Sequence, residues 1–156
     1  MTKSQLKPLI LPALRGIMGD WVYYSCLMRL DELSQRVDYA KDIHKNTHLS
    51  DMIQRQLKGN RSAQIATYIK CQPERLFNSL VVATYQGAPN WHAISNVKPK
   101  PSSKELQGLS EETIESVGFL TLSGDEKLFA LDGQHRLAGI KKAIKDGLSQ
   151  DPMDEV

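Results

Sequence analysis

A strand-like run changes into a helix-like run at a single glycine near the end of the sequence. Leu128–Leu131 are apolar, Asp132 and Gly133 follow, and from Gln134 onward the apolar residues recur at helical spacing. Four residues share one face of that helix: Leu137, Ile140, Ile144 and Leu148. Because the strand leads straight into the helix, the segment predicts an α/β or α+β domain with a tight turn at Gly133.

Patterns along the rest of the chain predict further elements. Extended or strand segments are predicted at Leu6–Gly16, Trp21–Leu30, Ser79–Tyr85 (as a buried strand) and Trp91–Val97, with a hairpin through Gly118–Leu131. Helices are predicted at Ser50–Gly59, where Ser50 is the N-cap and Gly59 the end, at Asn60–Lys70, and from a Ser110 cap to about Val117. A linker is predicted at Lys98–Lys104, which is rich in proline, serine and lysine.

Composition limits the classes of protein that remain. The chain has 156 residues and a formal net charge of +2, so its length suits one domain and its charge alone indicates neither nucleic-acid nor membrane binding. Its apolar runs are far shorter than the roughly 20 residues of a membrane span. Cys26 and Cys71 have no metal-binding spacing. We expect a cytoplasmic protein with one domain over residues 1–150, a small mixed sheet flanked by helices, and an acidic tail at 151–156.

The Asp132–Arg136 junction has the chemistry of an anion site. The first N–H groups of a helix lack partners within the helix, and the helix dipole adds positive character there. Gly133 would let a ligand approach the backbone, while His135 and Arg136 add two groups that can carry positive charge. Asp132 is a candidate Mg²⁺ ligand or water-orienting group, and Gln134 could orient a water molecule or read a base edge. Phosphate of a nucleotide or of DNA fits these residues equally well.

A purely structural explanation of the same residues remains open. Asp132 could be only a helix cap, Gly133 only a turn residue, and Arg136 only a partner in a surface ion pair. Three lysines farther along the helix would extend the positive charge and are candidate contacts to a DNA backbone, although such lysines usually form a solvated surface: Lys141, Lys142 and Lys145.

Three segments together resemble one protein family. The stretch "LDGQHRLAGI" is similar to the signature of the DGQHR-domain family, whose best-known members are the DndB proteins of bacterial DNA phosphorothioation. A second segment, "MIQRQLKGNRSAQIATYI", is similar to another stretch of that family, and the matching positions are Gln54, Arg55, Arg61, Ile65 and Tyr68. The N-terminal "PALRGIMGDWVYYSCLMRL" resembles the opening of the family.

The resemblance implies a regulatory or accessory protein of a DNA phosphorothioation system that binds DNA, nucleotide or both. Its partners would be DNA and other proteins of that system. The implied phosphate-binding residues are Gly133, His135, Arg136, Arg55, Arg61 and Gln54. An enzyme is the alternative: a ParB-like NTPase would use Mg²⁺ with ATP or another NTP, and its candidate catalytic residues are Asp132, which would also hold the metal, Gln134 and His135.

A more distant similarity links the junction to the ParB/sulfiredoxin superfamily. Sulfiredoxins have a reactive cysteine just before the His-Arg pair, and Gln134 stands at that position here, so sulfinic-acid reduction is not carried over. Members of the DGQHR-domain family typically continue beyond this helix, whereas this chain stops at "DPMDEV". We therefore expect either a natural short form or the N-terminal portion of a longer protein.

Overall fold

The computed structural model describes residues 6–40, 59–94, 109–147 and 155–156. In chain order the elements are β1 Leu9–Met18, β2 Trp21–Cys26, α1 Leu30–Arg36, β3 Val37–Tyr39, α2 Gly59–Cys71, β4 Val81–Tyr85, β5 Asn90–Ala93, α3 Glu111–Glu115, β6 Val117–Leu122, β7 Lys127–Asp132 and α4 Gln134–Lys145. The described residues form two compact units, one within 1–27 and 87–125 and the other within 28–86 and 126–156.

The first unit contains an antiparallel sheet in the order β2-β1-β6-β5. Side chains of β1 alternate as a strand with one covered face requires, so that Leu11 and Ala13 are buried and Pro12 between them is exposed. The predicted cap of α3 is confirmed, because the Ser110 hydroxyl accepts a hydrogen bond of 3.2 Å from the backbone N–H of Thr113.

The second unit contains a mixed sheet in the order β3-β7-β4, in which β7 runs parallel to β3 and antiparallel to β4. Its buried apolar side chains come from the helices α1, α2 and α4, from the strands and from the residue after β3: Leu30, Leu33, Val37, Ala40, Ala66, Ile69, Leu128, Phe129, Ala130, Leu137, Ile140 and Ala143. The predicted α/β class, with a small mixed sheet flanked by helices, is confirmed by this unit.

Helices α2 and α4 pack against each other at a glycine. Leu137 and Ile140 on α4 are 0% and 1% exposed, as the helical spacing predicted, and Ile69 on α2 is fully buried. Gly139 lies between the two helices, where a Cβ would come within 2.6 Å of the Ile65 Cβ. The missing side chain therefore lets α2 approach the backbone of α4, which fixes where the N-terminal turns of α2 lie.

The predicted hairpin through Gly118–Leu131 is wrong. Strand β6 pairs with β1 and β5, whereas β7 pairs with β3 and β4, so the two arms belong to different sheets. Both edges of each strand are occupied by other partners, which leaves no edge for pairing between β6 and β7. The turn-like composition of Ser123–Lys127 marks a connection between sheets, and Gly124 there has φ +99°.

The prediction of a buried strand at Ser79–Tyr85 is wrong in its burial. Strand β4 lies at the edge of its sheet, and Val81 and Tyr85 are 51% and 53% exposed. Its β-branched composition suits any pleated strand, whether central or at an edge. Position in the sheet, which composition does not encode, decides the burial.

The sequence prediction missed helix α1. The strand predicted to reach Leu30 ends at Cys26, and Leu30 begins the helix. A helix signal is present, because acidic residues occupy the first turn and Arg36 the last. Gly59, predicted to end a helix, is instead the first residue of α2, and the rest of that predicted helix lies outside the described residues.

The last two residues of the chain pair with the segment that precedes α1. Met28 and Val156 exchange two backbone hydrogen bonds of 3.0 Å, and Arg29 forms a β-bridge with Glu155. Residues 151–154 of the predicted acidic tail lie outside the described part of the chain. Across that part, every helix is too short or too polar to traverse a lipid bilayer.

The two cysteines are expected to differ in reactivity. Burial raises the pKa of the Cys26 thiol, while Cys71 is exposed at the end of α2. Since the thiolate is the nucleophile, iodoacetamide at pH 8 should modify Cys71 well before Cys26 in the folded chain. Peptide mass mapping over a time course measures this order. Equal rates in the folded chain, or faster labelling of Cys26, would contradict the difference in environment.

Candidate functional site

The junction between β7 and α4 turns at a left-handed glycine. Gly133 has φ +84° and ψ +20° and is the N-cap of α4, with no side chain to satisfy the helix. The backbone N–H of Leu137 bonds to the Gly133 carbonyl at 2.9 Å, so the N–H groups before it precede the helical hydrogen-bond ladder. The helix therefore begins without the side-chain cap that Asp132 was alternatively predicted to supply.

A register shift in the sheet brings the segment before β4 beside this junction. Val82 pairs with Ala130, but Val81 pairs with Asp132, so Leu131 is an extra residue on the β7 side. A bulge of this kind bends a strand and changes the direction of its last side chains. Asn78, three residues before Val81, lies at the start of α4, where its carbonyl accepts a hydrogen bond from Arg136.

Arg136 connects these two segments. Its Nη1 donates a hydrogen bond of 2.9 Å to the backbone carbonyl of Asn78, and its Nη2 donates one of 3.2 Å to the Asp132 carboxylate. The Arg136 side chain is 21% exposed and that of Asp132 is 76% exposed. Arg136 thus uses both terminal nitrogens on protein acceptors, which agrees with the structural alternative considered for it.

The space above Gly133 is filled by protein side chains. A Cβ at this position would lie 2.9 Å from the Leu80 Cγ and 3.1 Å from the Arg136 Nε and Nη2. The glycine is therefore required for two local reasons, namely its positive φ and the close approach of the Arg136 guanidinium. The expectation that Gly133 admits a ligand to the backbone stays a prediction.

A cavity of about 600 Å³ opens at the start of α4. Its lining residues come from α2, from the segment before β4 and from the junction: Arg61, Ile65, Asn78, Leu131, Asp132, Gly133, Gln134, His135 and Arg136. The structure thus brings the predicted residue Arg61 together with the five residues of the junction, although some 70 positions separate them in the sequence. The predicted residues Gln54 and Arg55 lie outside the described residues.

Gln134 is the most buried polar side chain of this cavity. It is 7% exposed, and within the described part of the chain no hydrogen bond reaches its side-chain amide. Every completely buried side-chain nitrogen or oxygen there has a partner, so the amide atoms of Gln134 must keep some access from the cavity. An amide that reaches the cavity without a protein partner is available to form hydrogen bonds with a polar ligand there.

The three candidate lysines of α4 have different surroundings. The Lys141 ammonium donates a 2.7 Å hydrogen bond to the Ser34 carbonyl and lies 5.9 Å from the centre of the Tyr39 ring, so it packs within its own unit. Lys142 forms an ion pair with Asp146, and its hydrogen bond lowers the pKa of that carboxyl group. Lys145 is exposed. Their predicted contact with a DNA backbone remains a prediction.

Asp132 is the carboxylate that lines the cavity, and its described partner is Arg136. Over the described residues, no group of three or more His, Cys, Asp or Glu side chains is arranged to hold a metal ion. The role of Asp132 as a Mg²⁺ ligand remains a prediction.

Sequence reasoning missed Asn78 and Leu80. Asn78 contributes a backbone carbonyl, which any residue type could supply, and Leu80 contributes a contact over Gly133. Neither contribution leaves a signal in residue type or spacing. Only the pairing of β4 with β7 makes these two residues neighbours of the junction.

Comparison with known proteins identifies the family. The model of a family described as DndB, DNA-sulfur modification-associated, matches residues 11–155. The chain matches none of the curated proteins and none of the solved structures with which it was compared. The family match spans both compact units and includes the whole Asp132–Arg136 junction, as the three resembling segments predicted. The chain therefore belongs to the DndB family of DNA-sulfur modification-associated proteins.

Proposed function

We propose that this chain is a regulatory or accessory protein of bacterial DNA phosphorothioation that binds a phosphate-bearing ligand, a DNA strand or a nucleotide, in the cavity at the start of α4. The observation that carries the proposal is the convergence of Arg61 with the junction around Gln134, whose amide has no hydrogen-bond partner among the described residues. Its other partners would be proteins of the same modification system.

The lining of the cavity supports an anion as its ligand. Arg61 is exposed on α2, His135 lies on the first turn of α4, and the N-terminus of that helix carries partial positive charge. Arg136 offsets the charge of Asp132, the carboxylate of the lining. The remaining groups favour a negative ligand with hydrogen-bond acceptors, and phosphate oxygens meet both requirements.

The size of the cavity supports a ligand of nucleotide dimensions. Small-molecule sites commonly enclose roughly 300–1,000 Å³, and this cavity has about 600 Å³. A free nucleotide and one nucleotide of a DNA strand share the same phosphate chemistry. If the ligand brings Mg²⁺, Asp132 would hold the ion together with the phosphates of the ligand.

Binding should be measured with both sources of phosphate. The probes are ATP with Mg²⁺ and a fluorescein-labelled 12-nucleotide single strand, followed by thermal shift and by fluorescence anisotropy. A ligand that binds only the folded chain raises Tm, by an amount that grows with its concentration. A raised Tm with one probe identifies the source. The proposal would be refuted if ligand concentrations up to the millimolar range produced no Tm shift and no anisotropy change.

Substitution of Arg61 by alanine should weaken binding of the probe that the wild type binds about tenfold in 50 mM salt. A hydrogen bond to a charged group contributes roughly 1.5 kcal/mol, which corresponds to about a tenfold change in Kd. Tm without ligand should hardly change, since Arg61 is exposed. The matched control is Lys127→Ala, which removes an exposed positive charge at the far end of β7. Equal losses from both variants would mean that binding depends only on overall charge.

A phosphate-release assay with the same protein tests the enzyme alternative. Turnover of ATP that disappears in His135→Ala would favour an NTPase over a binding protein. Binding without turnover would agree with a regulatory or accessory role. Either result can be read independently of the thermal shift.

A further inference from the structure

Resting on the proposed function, we infer that the five junction residues divide into two groups: Asp132, Gly133 and Arg136 build the turn, while Gln134, His135 and the distant Arg61 contact the ligand. Arg136 is then a positioning residue and not a phosphate ligand. Of the two roles that the sequence left open for the guanidinium, phosphate ligand and ion-pair partner, the inference selects the second, and it gives the Gln134 amide the role of recognition.

The hydrogen bonds of Arg136 support its place in the first group. One terminal nitrogen bonds to the Asn78 carbonyl and the other to the Asp132 carboxylate, at 2.9 and 3.2 Å. A phosphate that accepted hydrogen bonds from both terminal nitrogens would have to replace the bonds to Asn78 and Asp132. It would release the segment before β4 and leave the Asp132 carboxylate beside the phosphate without a neutralising partner.

Gly133 belongs to the same structural group. Its left-handed turn places the start of α4 where the Arg136 guanidinium lies against the glycine, 3.1 Å from the position of an ideal Cβ. Asp132, Gly133 and Arg136 therefore depend on one another: the glycine gives the arginine space, and the arginine bonds to the carboxylate.

Gln134 supports the second group. The residue is 7% exposed and lines the cavity, and its amide has no hydrogen-bond partner in the described part of the chain. An amide offers a donor and an acceptor without charge, so it can donate to a phosphate oxygen or pair with the edge of a base. His135 on α4 and Arg61 on α2 line the same cavity.

Arg136→Lys separates positioning from direct contact, because it keeps the charge and loses the planar fork. Tm without ligand should fall by roughly 3–6 °C. Affinity for the probe, either Mg-ATP or the 12-nucleotide strand, should fall at least fivefold, and the ratio of wild-type to variant affinity should be the same at 50 and 400 mM KCl. For Arg61→Ala that ratio should shrink several-fold over this range, since salt screens a direct contact between charges.

Gln134→Met tests the recognition group with a side chain of similar length and no hydrogen-bonding amide. Affinity should fall about fivefold without a loss of Tm, while the matched control Gln64→Met, at an exposed position of α2, should bind as the wild type does. Far-UV circular dichroism confirms that each variant is folded.

Two results would overturn the inference. One is an Arg136→Lys variant with unchanged Tm and a salt-dependent loss like that of Arg61→Ala, which would make Arg136 a direct ligand. The other is wild-type affinity in Gln134→Met. In both cases the wild type still binds its probe, so the proposed function stands; absence of binding by the wild type refutes the proposed function and this inference with it.

Discussion

Replacement of Gly133 by alanine is expected to lower the free energy of unfolding by about 2 kcal/mol and to abolish binding at the cavity. Left-handed backbone costs a residue with a Cβ roughly 1–2 kcal/mol. The new methyl group would also meet the Leu80 Cγ at 2.9 Å and the Arg136 guanidinium at 3.1 Å, and such overpacking adds roughly 1 kcal/mol or more. Alanine also reduces the conformational entropy of the unfolded chain, which offsets this loss of stability by less than 1 kcal/mol.

A second glycine in the same unit gives a matched control. Gly147, just after α4, has φ +81°, but an added Cβ there would meet no atom within 4 Å. Gly147→Ala therefore introduces the backbone strain without the steric contacts. Its free energy of unfolding should fall by about 1 kcal/mol, and its ligand binding should be normal. Urea unfolding followed by circular dichroism measures both variants. Identical losses, or retained binding in Gly133→Ala, would show that the contacts around Gly133 do not matter.

Gly139→Ala is expected to destabilise the chain by about 2 kcal/mol, against the usual effect of this substitution in a helix. Helix propensity alone favours alanine by roughly 1 kcal/mol. At this position, however, the Cβ would come within 2.6 Å of the Ile65 Cβ, an atom that cannot move without the backbone of α2. Overpacking would cost roughly 3 kcal/mol of stability, which outweighs the gain from the helix propensity of alanine.

The steric explanation predicts that the effect of Gly139→Ala on stability changes sign when the side chain of Ile65 is removed. In an Ile65→Gly background both Ile65 atoms that the new Cβ would meet are removed, so the same Gly139→Ala change should become neutral or stabilise by up to about 1 kcal/mol. Because α2 also carries Arg61, Gly139→Ala in the wild-type background should weaken ligand binding as well. Denaturant unfolding of the four proteins of the cycle gives the coupling energy. Additive effects would mean that the two helices do not meet at these residues.

The local elements could largely be predicted from the sequence. Spacing alone gave helix α4 with Leu137 and Ile140 in the core, and capping chemistry gave Ser110 at the start of α3. Both depend on residues close together in the chain, and such information is present in any short window of sequence. Pairing between distant strands is not, and for that reason the predicted hairpin through Gly118–Leu131 failed while its two strands were found.

The candidate site divides in the same way. Residue types at the junction, together with the family resemblance, indicated an anion site with Arg61 as a distant member, and the structure places these residues around one cavity. The roles within the site depend on geometry that no spacing encodes. The sequence left open whether Arg136 is a phosphate ligand or a partner in an ion pair, and the structure shows its two terminal nitrogens bonded to Asn78 and Asp132.

By itself the sequence determined the strand–glycine–helix junction, its polar residues and the family to which the chain belongs, because each of these is written in consecutive residues. Only the tertiary structure decided which of those residues hold one another and which face open space. The physical reason is that a hydrogen bond to a backbone carbonyl, the burial of an amide and the close approach of two helices at Gly139 depend on residues far apart in the chain, which become neighbours when β4 pairs with β7 and α2 packs on α4.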